Sequence, residues 1–289
     1  MKNITMEFET INFELQENGI GILTLNRPEK LNALSFQMIQ DLHAIFDHLL
    51  ANLDCRVLIL QAKGRVFCAG LDLKESTILQ SKKKPAELKE KFFFLDAPDK
   101  DIIKAKLYAQ MHTSQIFIKM RKISQPIITI VNGAASGVGF ALVLSSDMRI
   151  ASSKARFNNA FINVGFSGSD LGSSYHLPRL IGMSRAAEIM YTGRFVSAEE
   201  AEQIGLISRV VEEEKLLDSA LELAKDLLKK SPLGLRLTKQ AINLSLDAPS
   251  LEPLIQLENR AQMLCSTSDD IMEGIQAFME KREPTYPLK

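Results

Sequence analysis

At 289 residues, 46% of them hydrophobic, the chain can bury a full core as one α/β domain or two smaller ones. Its 35 Lys plus Arg balance 35 Asp plus Glu, and a net charge of zero argues against a surface built to grip nucleic acid. Cys55, Cys68 and Cys265 form no C-x-x-C pair, so neither a disulfide framework nor a thiolate zinc site is expected. With no secretory pattern at the start and no run near ~18 apolar residues, the expectation is a soluble, cytoplasmic protein with no membrane partner.

GIGILTLN (19–26), RVLILQA (56–62) and PIITIVNG (126–133) are short branched-aliphatic runs bounded by turn residues, and they predict buried strands. Between the first two, Met38, Ile39, Leu42, Ile45, Phe46, Leu49 and Leu50 recur at helical spacing behind Ser35, a candidate N-cap, predicting a helix over 36–51. Strand, helix, strand is an α/β pattern. Residues 74–106 combine Lys82, Lys83, Lys84 and Pro85 with Phe92, Phe93 and Phe94 in a charged stretch. This reads as a solvated loop with a short surface helix, the alternative being a basic lid near a phosphorylated ligand.

DMRIAS and LISRVV predict two further short strands, and Ser197 with Glu200 has capping-box spacing. From about residue 213 the pattern is helical. Ile271, Ile275, Phe278 and Met279 share one face of the last segment, which implies that it packs on something, another subunit being one candidate.

Two glycine-rich turns are candidates for chemistry, the alternatives being an ordinary strand-to-loop turn for the first and close helix packing for the second. In GRVFCAGLDLKE (64–75), a glycine at position 70 lets backbone approach a ligand, so that the Leu71 amide can point outward as a donor. In VNGAASGVGFAL (131–142), a strand runs into a turn and an apolar helix whose first N–H groups are unpaired. Neither G-x-G-x-x-G nor G-x-x-x-x-G-K-[ST] is present, which disfavours dinucleotide and P-loop readings. Asp170 stands alone in FSGSDLGSSYHLP (166–178), where short polar side chains also cap turns.

LTLNRPEKLNALS, FCAGLDLKE, IVNGAASGVGFAL, LPRLIGMSRAAEIMYTGR, SAEEAEQIGLISRVV and AFMEKREP, taken in that order, resemble the crotonase superfamily, the enoyl-CoA hydratase/isomerase family. The resemblance implies an α/β fold, a ClpP/crotonase-like spiral of ββα units over 1–195 holding the CoA and acyl site. A mainly helical region over 196–289 follows, for trimerisation and CoA contact. It further implies that the Leu71 and Val138 amides form an oxyanion hole for an acyl-CoA thioester, lined by Ala69, Gly70, Gly137, Ala141 and Phe161. Val138 replaces a glycine common at that position, but any residue except proline keeps its N–H.

By the same resemblance Lys30, Asp72, Leu73 and Lys74 run beside CoA, and Phe278 and Lys281 reach the CoA of a neighbouring subunit. CoA is carried as part of the substrate, so no separate cofactor and no metal are expected. The expected assembly is a homotrimer or homohexamer. The two glutamates that hydratases of this family share are absent, their places being taken by Ala141 and Phe161. Asp170 falls where divergent members, dienoyl-CoA isomerases and a dehalogenase-type branch, carry a functional aspartate. An apolar setting of Phe161, Phe166 and Tyr175 would raise its pKa toward that of a useful proton donor.

The expected activity is therefore of the enoyl-CoA hydratase/isomerase type, with Asp170 moving protons. The alternatives are a hydrolase or dehalogenase using Asp170 as nucleophile or base, and a CoA-ester-binding protein without catalysis. His176 is expected to be packed or at the surface, and His112, at i+4 from Tyr108, is a candidate for substrate contact.

Overall fold

The computed structural model describes residues 3–81, 84–95 and 102–286. The first three strands, β1 (Ile4–Glu7), β2 (Ile11–Leu15) and β3 (Ile20–Leu25), form an antiparallel meander. Helix α1 (Phe36–Ala51) follows, with the Ser35 hydroxyl accepting from the Met38 N–H as its cap. Next come β4 (Val57–Ala62), α2 (Leu73–Gln80), α3 (Ala86–Lys91) and the long α4 (Ile102–Lys122).

The chain then runs through β5 (Ile127–Val131), β6 (Ala134–Ser136), α5 (Val138–Leu144), β7 (Met148–Ser152) and β8 (Arg156–Asn158). After α6 (Ser173–Ile181) and α7 (Met183–Thr192) it adds β9 (Val196–Ser197), α8 (Ala198–Gln203) and β10 (Arg209–Val211). Helices α9 (Leu216–Leu228), α10 (Pro232–Ser245), α11 (Leu251–Ser266) and α12 (Asp269–Glu280) complete it.

Seven strands make the main sheet in the order β1-β2-β3-β4-β5-β7-β10, parallel from β3 onward, and β6-β8-β9 make a second, smaller sheet. Successive units place one strand in each layer and then a helix: β5-β6-α5, then β7-β8-α6. The two earlier turns of this spiral are completed by single parallel bridges, Leu34 to Leu71 and Cys68 to Ala135, that continue the second layer. The expected ββα spiral is thus present.

The uninterrupted apolar strands reflect burial on both faces. Leu23, Leu25, Leu58, Leu60, Ile127 and Val131 face the main core with α1, while Ile20, Ile22, Val57, Ile59, Ile128 and Ile130 face a second cluster covered by α9. The packing continues past residue 195. The strand β10 pairs with β7, β9 pairs with β8, and Leu216, Ala220 and Ala224 of α9 seal the back of the sheet, so 196–228 belong to the core.

Beyond that, α10 is pinned by buried Lys239, whose Nζ reaches Asp147 Oδ2 at 2.9 Å and donates to the Gln125 carbonyl at 2.7 Å. Helix α11 has no buried residue, and α12 buries only Ala277. Ile271, Ile275, Phe278 and Met279 remain on the surface of the single chain, Phe278 at 84% exposure.

The aromatic stretch after α3 also differs from the solvated reading. Phe92, Phe94 and Leu95 are buried against Phe36 and Ala109 in a small separate core, with Phe36 to Phe94 ring centroids 5.2 Å apart. The start of α1 offers an apolar end that no strand covers, and these side chains close it. Lys82 and Lys83, two of the three lysines in the basic run, lie outside the described residues, and Lys84 is buried. Only the first half of the 197–200 capping box forms: Ser197 accepts from the Glu200 N–H, while the Glu200 carboxylate turns to Arg194.

Candidate active site

The two glycine turns lie side by side. In the parallel bridge at Leu34, the Leu34 N–H donates to the Gly70 carbonyl at 2.7 Å and the Asp72 N–H donates to the Leu34 carbonyl at 3.0 Å. Neighbouring residues of a strand alternate the edge on which they bond, so the Leu71 N–H is left on the opposite edge, where no acceptor takes it among the described residues. Gly70 holds φ +107°, and a Cβ there would stand 3.3 Å from the Ser136 carbonyl, so only glycine allows the two turns this approach.

Across from it, the Gly137 N–H donates to the Asn158 carbonyl and φ is +52°, which turns the chain into α5. Val138 is the first residue of that helix, and its N–H has no acceptor among the described residues. Ala69 sits in the Gly70 turn, its N–H donating to the Leu31 carbonyl at 3.0 Å. Leu71 and Val138 are thus two unclaimed donors on adjoining turns.

Lys30, Leu71, Asp72, Leu73 and Lys74 line one groove of about 380 Å³, together with Arg27 and Glu75. Asn32, fully buried, fixes the Lys30 loop by donating to the Lys63 and Val66 carbonyls. Asp72 accepts from Arg27 Nη1 at 2.8 Å and caps α2 through the Lys74 and Glu75 N–H groups. Burial alone would raise the Asp72 pKa, but the Arg27 guanidinium and the helix N–H groups hold it below the ordinary carboxylate value. Burial raises Glu75 instead, although its carboxylate accepts from the Phe36 N–H at the start of α1.

Ala141 and Phe161, expected from the resemblance to stand in place of two carboxylates, are apolar and buried. Ala141 lies inside α5, and Phe161 packs over the Gly137 turn, its ring 3.5 Å from where a Cβ of residue 137 would stand. The segment after Phe161 folds back on itself: the Phe166 N–H donates to the Phe161 carbonyl, and the Asn159 side-chain amide donates to the Gly168 carbonyl. Phe166 itself is exposed, and the Tyr175 hydroxyl donates to Asp247.

Asp170, half-buried, ends this loop. Its Oδ1 accepts from the Leu171 N–H at 2.8 Å and from Gln110 Nε2 at 2.6 Å. Burial raises its pKa, and the two hydrogen bonds hold that rise back. Gln110 comes from α4, sixty positions earlier, and no sequence signal marked it.

His176 makes no hydrogen bond to Asp170 among the described residues. Burial, with Arg121, Arg149 and Arg179 nearby, pushes its pKa down to about 4. His112 stacks on His43, ring centroids 4.0 Å apart, and packs against Phe93 and Phe94. It is brought to α1, not to Asp170, and burial followed by the His43 charge pushes its pKa down to about 4. Phe278 and Lys281, at the end of α12, are absent from the lining of the Lys30 groove in the same chain. Among the described residues no group of three His, Cys, Asp or Glu could hold a metal ion, and no helix is long and apolar enough to cross a membrane.

Comparison with known proteins bears directly on this arrangement. The family model for enoyl-CoA hydratase/isomerase matches residues 15–97 and 99–288. A Mycobacterium bovis protein named as a probable enoyl-CoA hydratase is 37% identical over 271 residues, covering 92% of this chain and 89% of its own. The 1,2-epoxyphenylacetyl-CoA isomerase of Escherichia coli is 35% identical over 94% of this chain and 97% of its own. The crystal structure of an enoyl-CoA hydratase from Bacillus anthracis superposes with a TM-score of 0.82 at 30% identity, covering 100% of both chains. With a spiral of ββα turns, paired glycine turns and a family match along almost its whole length, the chain belongs to the enoyl-CoA hydratase/isomerase family.

Proposed function

We propose that the protein is an acyl-CoA enzyme of the hydratase/isomerase type in which the Leu71 and Val138 N–H groups bind the thioester oxygen and Asp170 carries a proton. The observation that carries this reading is the pair of unclaimed main-chain donors on adjoining turns, held there by Gly70. Such donors stabilise charge that grows on the oxygen as the thioester enolises, about 10²- to 10³-fold in rate for each. Lys30 meets the phosphates of CoA as a point charge, and Asp72, Leu73 and Lys74 of the same groove run beside its adenine and pantetheine.

With Ala141 and Phe161 in place of two carboxylates, proton transfer falls to Asp170. Its carboxylate takes a proton from Cγ, the oxyanion donors hold the dienolate, and the same carboxyl returns the proton to Cα. That sequence needs no second acid and no water, which favours isomerisation over hydration in this chain. Burial raises the Asp170 pKa in the direction that suits a group that must give its proton back.

The exposed apolar face of α12 favours self-association, read here as a homotrimer or homohexamer in which Phe278 and Lys281 approach a neighbour's CoA. The balanced charge and the small-molecule groove favour a cytoplasmic enzyme with neither nucleic acid nor membrane as partner. The test is turnover of a panel of enoyl-, dienoyl- and hydroxyacyl-CoA thioesters by wild type and Asp170→Asn. Isomerisation of at least one enoyl or dienoyl ester, lost in the variant, is expected. Binding of CoA esters without turnover of any would overturn the enzymatic reading, and a covalent acyl adduct on Asp170 would replace the proton carrier by a nucleophile.

A further inference from the structure

The Asp170 carboxyl is held asymmetrically. Both donors, the Leu171 N–H and Gln110 Nε2, converge on Oδ1, and among the described residues none reaches Oδ2. Leu171 itself holds φ +49°, a left-handed conformation unfavourable for a non-glycine residue. Its side chain is buried in the main core, and Gly172 continues at φ +84°, so the surrounding fold imposes this geometry. Ser173 fixes the backbone from the other side, its hydroxyl accepting from the Asp170 N–H and its own N–H donating to the Asp170 carbonyl.

Gln110 projects from the face of α4 that also carries Ile103, Leu107 and Met111, all exposed. It is the one side chain from outside the loop that bonds the carboxylate among the described residues. Resting on the reading of Asp170 as proton carrier, we propose that Gln110 is a positioning residue. Its amide pins Oδ1, fixes the carboxyl plane, and leaves Oδ2 as the atom that exchanges the proton with substrate.

The chemistry follows from the donor. An amide N–H bonded to a carboxylate favours its charged form, so Gln110 opposes the rise that burial causes. Burial, the Leu171 N–H and Gln110 are the influences on Asp170, with no charged side chain among them. On α6, which follows the loop, the His176 ring lies against Gly172 and its pKa is lowered by burial and by the charges of Arg121, Arg149 and Arg179, while Tyr175 donates to Asp247. Losing the Gln110 donor therefore moves the Asp170 pKa further up and frees the carboxyl to rotate.

Two variants test this, both at an exposed position that leaves the core alone. Gln110→Met keeps length and removes the donor. Its kcat should fall about 10- to 100-fold with KM within about 3-fold of wild type. The acidic limb of its pH–rate profile should move to higher pH. Gln110→Glu supplies an O–H donor only while protonated, so its activity should approach wild type on the acid side and collapse as the pair ionises.

Infrared difference spectra, each protein against its Asp170→Asn derivative, read the carboxyl titration without any substrate. An upward shift in Gln110→Met together with the kinetic pattern is the expected result. An infrared shift without kinetic change reduces Gln110 to a structural contact and overturns the proposal, as does an unmoved titration with an unmoved acidic limb. Retained turnover in Asp170→Asn overturns the proton-carrier reading itself, and the infrared titration then still reports separately whether Gln110 governs the carboxyl.

Discussion

At Gly70–Leu71 and Gly137–Val138 the candidate site is made of main chain, whereas at Asp170 it depends on one carboxyl held by two hydrogen bonds. The first half is set by strand pairing and by glycines at positive φ, so the identity of the side chains beside the donors matters little. The second half is set by a side chain on a loop and a side chain on a distant helix. The contrast teaches that a main-chain donor such as the Val138 N–H survives a change of side chain, whereas on the proposed reading any proton chemistry rests on Asp170 alone, Ala141 and Phe161 being apolar.

Substitutions can break this contrast. Asp170→Asn should lose about 10²- to 10⁴-fold in kcat with acyl-CoA affinity retained, measured by steady-state kinetics and equilibrium binding. Gly70→Val forces a β-branched residue into φ +107° and toward the Ser136 carbonyl. It should cost about 10²-fold in kcat/KM, and the melting temperature should fall with it. If its activity were normal, the turn would not be presenting the donor.

A stability profile sharpens the picture of α4, the helix that carries Gln110. His112, with its pKa pushed down to about 4 from an unfolded value near ~6.5, binds fewer protons folded than unfolded in that window. Stability should therefore fall as pH drops from about 6.5 toward about 4 and then level off. His112→Phe should keep the stack and flatten that fall, as followed by thermal melts. Next in size, Lys30→Ala and Lys74→Ala should each raise KM for a CoA ester by about 2- to 5-fold with kcat unchanged, the effect shrinking at high salt. Smallest of all, Leu71→Ala should stay within about 3-fold of wild type because the N–H persists; a loss as large as that of Asp170→Asn would assign the work to the side chain instead.

Much of the fold is legible because periodicity and caps are local. The buried strands at 20–25, 57–62 and 127–131 and the Ser35-capped helix appear within a residue or two of where the pattern puts them. The pattern of LISRVV announces β10 but not its pairing with β7, and the two-residue β9 carries too little pattern to be seen, so the continuation of both sheets past residue 195 is not legible locally. Phe92 and Phe94 look solvated among lysines, since their partner Phe36 lies more than fifty positions away. At the site, the glycine turns and the lone acid stand out by their composition. Gln110 does not, because a glutamine in a helix is ordinary until the fold sets it against Asp170.

The Lys239 pin has a practical corollary for anyone trimming or fusing the protein. A chain cut after α9 would retain every strand of both sheets, yet would strip Asp147 of one of its two cations and leave the Gln125 carbonyl without its donor. A tag or crosslinker is better placed on α11, which buries no residue, than on α10, which carries the pin.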